Sequence, residues 1–173
     1  MSICVRNRML IAWIDFDTDY TVSFFSVRVA FAAQKGASMQ DIFNYLKSLE
    51  VNFLATKSGD SVSCRPFGDP ILFDNKIYML TNAKKDVAKQ LSIDNHICIV
   101  AYHPQKGNWL RIFCEAIDDS NNTAAKQAII DEFDWAEEAG YTLDNPDFKC
   151  YYLAHAKAEI RDSDGQTLAN YTF

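Results

Sequence analysis

Two adjacent lysines, Lys84 and Lys85, follow a strand pattern and stand where a helix pattern begins, with Thr81 and Asn82 just before them as candidate helix caps. A helix N-terminus carries partial positive charge, so two cations there are unfavourable unless an anion binds beside them. Free backbone N–H groups and the two ammonium groups would together suit a phosphate. The alternative is a solvated helix start whose charge Asp86 partly offsets, because exposed like charges cost little at physiological salt.

Two further groups of residues have chemistry suited to a ligand. Proline lacks the N–H that a strand ladder needs, so Pro66 in Arg65-Pro66-Phe67 marks the edge or end of a strand. Arg65 could reach outward there with a fork that fits phosphate, or could simply be a surface residue on an edge strand. Trp109 and Arg111 are two apart, so they share one strand face. They could pack on an aromatic ligand, or form a cross-strand pair on the outside of a barrel.

The elements that would position these residues are short strands separated by turns, with a few helices between them. This pattern predicts an α+β fold in which six or more antiparallel strands form a barrel, with two to three helices outside it. Amphipathic spacing predicts a helix beginning near Met39, a second over 82–91 and a third over 121–139 that Gly140 would end. The strands are predicted over 51–56, 61–67, 71–73, 76–81, 96–102, 108–117, 150–160 and 166–171.

Composition excludes several classes of function. The chain has 173 residues and a net charge of −6, which argues against general affinity for nucleic acid. No apolar run reaches the length of a membrane span, and the three histidines show no metal-ligand spacing. Five cysteines with no C-x-x-C pair lack the signatures of a zinc site or a disulfide framework, so we expect a cytoplasmic protein.

The regular pattern begins only near Met39. We therefore predict an N-terminal extension over 1–38 and a single domain over 39–173. Ser38 and Asp41 have the spacing of a capping box, which would place Ser38 with the helix that follows.

In order and spacing, several segments together resemble the pyridoxamine 5′-phosphate oxidase-like superfamily of FMN-binding split barrels, especially its short, mostly uncharacterised bacterial branch. The resemblance runs from about Met39 to the C-terminus. The segments that show it are Phe53-Leu-Ala-Thr56, Ser63-Cys-Arg-Pro-Phe-Gly68, Tyr78-Met-Leu-Thr-Asn82, Lys84-Lys-Asp-Val-Ala-Lys-Gln90-Leu91 and Trp109-Leu-Arg-Ile112.

The resemblance implies a split β-barrel that binds FMN. It implies that Arg65, Lys84 and Lys85 hold the FMN phosphate, and that Pro66 and Phe67 contact the flavin ring or ribityl chain. It also implies a homodimer with two flavins at the interface. The candidate cofactor-binding residues are Arg65, Pro66, Phe67, Thr81, Asn82, Lys84, Lys85, Gln90, Trp109 and Arg111, the last two serving the partner subunit's cofactor.

One departure from the superfamily concerns the C-terminus. The chain ends without the segment bearing Trp, Arg and His that engages substrate phosphate in true pyridoxamine phosphate oxidases, so oxidation of vitamin B6 is not expected. The hypotheses that remain are an FMN-dependent oxidoreductase for an unidentified small molecule with a donor such as NAD(P)H, a non-catalytic flavin-binding or stress-related protein, and a haem- or deazaflavin-binding protein. No motif marks a catalytic acid or base, and no histidine is marked as an axial haem ligand.

Overall fold

The computed structural model describes residues 38–68 and 70–173. The predicted extension therefore lies outside the described residues, except for Ser38. Three helices and eight strands occur in the order α1 (Met39–Lys47), β1 (Asn52–Ser58), β2 (Ser61–Phe67), β3 (Ile71–Phe73), β4 (Lys76–Asn82), α2 (Asp86–Ile93), β5 (His96–His103), β6 (Asn108–Asp118), α3 (Thr123–Glu132), β7 (Phe148–Asp162) and β8 (Thr167–Thr172).

All eight strands form one antiparallel sheet with the order β2-β1-β5-β6-β7-β4-β3, and β8 pairs with the distal part of β7. The longest strand, β7, pairs with β4 through its first residues and with β6 along most of its length. The end strands β2 and β3 are not paired with each other within the described part of the chain. The predicted α+β fold with six or more antiparallel strands and three helices is confirmed, and the sheet is not closed.

The main core fills the concave side of the sheet, because successive strand residues point to opposite faces. On β5, Ile97, Ile99 and Ala101 are buried on this side. Helix α1 covers it with Ile42 and Leu46, which are at most 2% exposed. Burial of such side chains is worth about 1.5–3 kcal/mol each, so this core is the main source of stability.

A second core lies on the other side of β4 and β7, under α3. Tyr78, Ile129 and Phe148 are all fully buried there. The hydroxyl of Tyr78 donates to Asp119 Oδ2 over 2.7 Å, and Asn122 caps α3 by accepting from the Ala125 amide over 3.1 Å. These contacts attach the start of α3 to the sheet.

Two helix boundaries differ from the sequence prediction. Helix α3 ends at Glu132 and not near residue 139, because Phe133 adopts an extended backbone (φ −121°, ψ 103°) and turns its ring into the second core. Helix α2 begins at Asp86, so Lys85 is its N-cap and Lys84 precedes it. The two lysines therefore lie at the approach to the helix, and not in its first turn as predicted.

The capping box predicted at the start of α1 is confirmed. The Asp41 carboxylate accepts the Ser38 amide over 2.8 Å, as the capping-box spacing predicts. Asp74 and Asn75 form the hairpin turn between β3 and β4 with positive φ angles of 47° and 54°, a conformation that these residue types tolerate. None of the described helices is long and apolar enough to cross a membrane.

Candidate functional site

A cavity of about 200 Å³ opens where the end of β2, the end of β4 and the start of α2 meet. The segment that follows α3 forms its remaining wall. Its lining residues are Arg65, Pro66, Phe67, Gly68, Leu80, Thr81, Lys85, Val87, Trp135 and Tyr141. Five of the ten residues predicted from the sequence, Arg65, Pro66, Phe67, Thr81 and Lys85, thus line one cavity, although they come from three elements. We call it the Arg65 cavity.

Arg65 is held in place by neutral acceptors. Its guanidinium donates to Thr56 Oγ1 over 2.6 Å, to the Leu54 carbonyl over 3.2 Å and to Gln90 Oε1 over 2.7 Å. Thr56 Oγ1 in turn donates to Gln90 Oε1 over 2.6 Å. Among the described residues no carboxylate lies within salt-bridge distance of Arg65, so none of them neutralises its charge.

Lys84 and Lys85 have different surroundings. The Lys84 ammonium lies 2.5 Å from Asp147 Oδ2 and is 80% exposed, and Lys84 does not line the Arg65 cavity. Lys85 lines the cavity and has no carboxylate partner in the described part of the chain. Asn82 also stands apart from the cavity, because its side-chain oxygen accepts the Lys84 amide over 2.9 Å.

The start of α2 faces the cavity through Lys85 and Val87. No side chain caps this end of the helix, although sequence analysis predicted Thr81 and Asn82 as caps. Thr81 is instead 3% exposed in β4, and its hydroxyl has no hydrogen-bond partner among the described residues. An uncapped helix start with partial positive charge therefore lies beside Arg65 and Lys85, two cations for which the described residues supply no carboxylate partner.

Sequence reasoning missed the aromatic wall of the cavity. Trp135 is 49% exposed and stacks on Phe133 with ring centroids 5.2 Å apart. Tyr141 is 8% exposed and meets Trp135 edge-on at 5.9 Å. Trp135 lies inside, and Tyr141 just beyond, the stretch predicted as a helix over 121–139, and the one available signal was a tryptophan among acidic residues.

Trp109 and Arg111 lie away from the Arg65 cavity, on the convex face of the sheet. The Arg111 guanidinium carbon is 5.3 Å from the centre of the Trp109 ring and 5.1 Å from that of Phe113. Arg111 also donates to Glu159, which accepts from Arg161 as well. Hydrogen bonds from Arg161 and Arg111 hold the pKa of the Glu159 carboxyl below its usual value. The predicted sharing of one strand face by Trp109 and Arg111 is confirmed.

The convex face around this pair is apolar and exposed. The strand registers place Phe53 opposite Val100, Val100 opposite Arg111 and Tyr102 opposite Trp109. Phe53, Tyr102 and Phe113 are 46%, 59% and 50% exposed. We call this the convex sheet face. Contiguous exposed apolar surface of this kind is typical of protein–protein interaction sites.

None of the three histidines lines the Arg65 cavity. His96 and His155 are exposed and lie beside Asp94 and Glu115, respectively. His103 is buried near the end of β5, edge-on to Tyr45. The described residues contain no cluster of His, Cys, Asp and Glu side chains that could hold a metal ion.

Several solved structures share this fold. A NimC/NimA family protein from Clostridium acetobutylicum is 24% identical, with a TM-score of 0.72, over 79% of this chain and 92% of that one. A protein from the same organism, related to general stress protein 26 and described as of the pyridoxinephosphate oxidase family, is 16% identical, with a TM-score of 0.57, over 78% and 92% of the two chains.

A haem-binding protein from Mycobacterium smegmatis is 14% identical, with a TM-score of 0.55, over 75% of this chain and 56% of that one. Neither a family model nor a curated protein matches the sequence. The split-barrel fold that the resemblance implies is confirmed, since these structures share the architecture of the chain.

Proposed function

We propose that the chain binds FMN, with the phosphate in the Arg65 cavity. The observation that carries the proposal is that Arg65 and Lys85 line one cavity at the uncapped start of α2 and that neither has a carboxylate partner in the described part of the chain. Thr81, a residue that is 3% exposed, adds a hydroxyl that has no hydrogen-bond partner among the described residues. In a chain with a net charge of −6, this concentration of uncompensated positive charge fits a bound phosphate.

The cavity is too small for the whole cofactor. About 200 Å³ is below the 300–1,000 Å³ of typical ligand sites, so it suits the phosphate end alone. The rest of the flavin would pass Pro66 and Phe67 at the end of β2. This fits a site that two chains complete together.

We further propose a homodimer formed through the convex sheet face. Phe53, Tyr102 and Phe113 expose about half of their surface there, and burying them would be favourable. Trp109 and Arg111 on the same face would then lie next to the cofactor of the partner subunit. The hydrogen bond from Arg111 to Glu159 and the packing of Arg111 on the Trp109 ring would hold the two side chains in place for that role.

The proposed activity is that of an oxidoreductase acting on a small molecule, with an electron donor such as NAD(P)H. When bound, a flavin supplies hydride and electron transfer. The residues of this chain would bind the phosphate, orient the ribityl chain and exclude water. No described side chain is placed as an acid or base, and true pyridoxamine phosphate oxidase activity is not part of the proposal. A cytoplasmic location remains a prediction.

The direct test is flavin binding by the purified full-length chain. Flavin fluorescence and absorbance should show saturable uptake of FMN, and riboflavin should bind more weakly because it lacks the phosphate. Protein that takes up neither flavin would contradict the proposal. Anaerobic mixing of the FMN complex with NADH or NADPH then separates the enzyme from a non-catalytic flavin-binding protein, since only the former should bleach the flavin absorbance at a useful rate.

A haem-binding function is the second candidate, because a haem-binding protein from Mycobacterium smegmatis shares the fold. His103 is 7% exposed, and no described residue forms a hydrogen bond with its Nδ1. However, it does not line the Arg65 cavity. Haem added to the protein should therefore give no histidine-ligated absorbance spectrum, and a His103-dependent spectrum would favour this candidate over FMN.

A further inference from the structure

The side chain of Tyr141 is fixed in the wall of the Arg65 cavity by its ring. The ring is 8% exposed and meets Phe148 edge-on with centroids 5.2 Å apart, in addition to its contact with Trp135. Its backbone follows Gly140, whose φ of +83° lies in the region that favours glycine. The Tyr141 amide donates to the Ala136 carbonyl over 2.9 Å, which completes this tight turn.

The hydroxyl of Tyr141, in contrast, has no hydrogen-bond partner among the described residues. Buried tyrosines usually find one: the Tyr45 hydroxyl donates to Asn108 over 2.8 Å and that of Tyr78 to Asp119 over 2.7 Å. Within the described residues, the fully enclosed side-chain atoms without a partner are Asn52 Oδ1 and His103 Nδ1. The Tyr141 hydroxyl therefore retains access to solvent, and Tyr141 is one of the residues that line the Arg65 cavity.

The surroundings of this hydroxyl are suited to an anion. Arg65 and Lys85 supply positive charge, and no Asp or Glu side chain is among the lining residues described. Thr81 contributes a second hydroxyl on a side chain that is 3% exposed. A phosphoryl oxygen has several lone pairs and would accept hydrogen bonds from the Tyr141 and Thr81 hydroxyls at once.

We propose that Tyr141 is a phosphate-binding residue, whose hydroxyl donates to a phosphoryl oxygen held by Arg65 and Lys85. This rests on the proposed function, and it adds a ligand-contacting residue that no motif of the sequence indicates. The ligand class it selects is a phosphate monoester, since the cavity offers hydroxyl donors and cations together. Trp135 packs against the Tyr141 ring and forms the exposed edge of the same wall.

The test compares FMN with riboflavin on the full-length chain and on Tyr141→Phe, by flavin fluorescence titration. The phenylalanine keeps the ring and breaks no hydrogen bond within the described residues, so it should fold. A hydrogen bond to a charged group is worth enough for FMN binding to weaken about tenfold or more. Riboflavin binding should change less than about twofold. Tyr171→Phe is the matched control, because Tyr171 is partly buried but does not line the cavity.

The outcomes are distinguishable. Wild-type protein that fails to bind FMN overturns the proposed function itself. Wild-type protein that binds FMN, with an equal affinity in Tyr141→Phe, overturns this inference alone. Equal weakening of FMN and riboflavin also overturns it, because the role of Tyr141 would then be structural. Replacement of Tyr141 by 4-fluorophenylalanine gives a second measurement, since it also removes the donor and should cause the same selective loss.

Discussion

The guanidinium of Arg65 donates to the side-chain oxygen of Gln90 over 2.7 Å and thereby joins β2 to α2 without a carboxylate. Gln90 Nε2 also donates to Ser58 Oγ over 3.2 Å, so one amide orients the arginine from the helix and is itself held by β1. Thr56, 2% exposed, completes the arrangement. Gln90 was a predicted cofactor-binding residue. It does not line the Arg65 cavity, and its hydrogen bond holds the Arg65 guanidinium in position.

Gln90→Ala should weaken FMN binding and destabilise the fold. It leaves the Thr56 hydroxyl and one Arg65 N–H group without their acceptor, which costs about 1–3 kcal/mol of unfolding free energy. Urea unfolding measures this loss, and flavin titration measures the affinity. Gln127→Ala is the matched control, because Gln127 is exposed and contacts only Asp131 within its own helix. If both variants behave alike, Gln90 does not position Arg65.

The two adjacent lysines should differ in their effect on the cofactor. Lys85→Gln should weaken FMN binding about tenfold, because it removes a cation that lines the cavity. Lys84→Gln should change affinity less than about twofold, since the charge of Lys84 is already balanced by Asp147 and exposed ion pairs contribute little. Titrations of both variants with FMN and riboflavin measure these changes in affinity. A larger effect at Lys84 would place the phosphate on the other side of the helix start.

Sequence analysis predicted the strands well because each strand shows a clear alternation of apolar and polar residues or has a turn at its end. The proline that follows Arg65 in a strand, Pro66, and the adjacent lysines Lys84 and Lys85 could be recognised as unusual from residue types alone. Which lysine lines the cavity could not be predicted, because this depends on Asp147, which is far away in the chain and close only after β7 pairs with β4.

The aromatic wall was not predictable for a different reason. The stripe formed by Ala125, Ile129 and Phe133 fits a continuing helix, yet Phe133 leaves the helix to fill the second core. Tertiary packing thus overrides local periodicity at that point. Trp135 and Tyr141 then reach the cavity through a turn whose position depends on where the helix ends.

Phe113→Glu should convert the proposed dimer into a monomer. Phe113 is 50% exposed on the convex sheet face, and a carboxylate buried at an apolar interface is strongly unfavourable. Sedimentation or light scattering at several protein concentrations gives the mass. Ile93→Glu is the control, because Ile93 is 88% exposed at the end of α2. A wild-type protein that is monomeric at all concentrations, or a dimeric Phe113→Glu variant, would exclude this interface.

Tyr78 should make stability sensitive to alkaline pH. Burial, followed by its hydrogen bond to Asp119, raises the pKa of Tyr78 above its ordinary value of 10. The unfolded chain therefore ionises first, and the stability contributed by Tyr78 is fully present below about pH 10 and lost as the pH rises towards the folded-state value. Tyr78→Phe should cost about 1.5–3 kcal/mol at pH 8, because the Asp119 carboxylate loses a donor. Urea unfolding between pH 8 and 11 should show the gap between wild type and variant narrowing above pH 10. Parallel curves would mean that the Tyr78 hydroxyl is not held by Asp119 in solution.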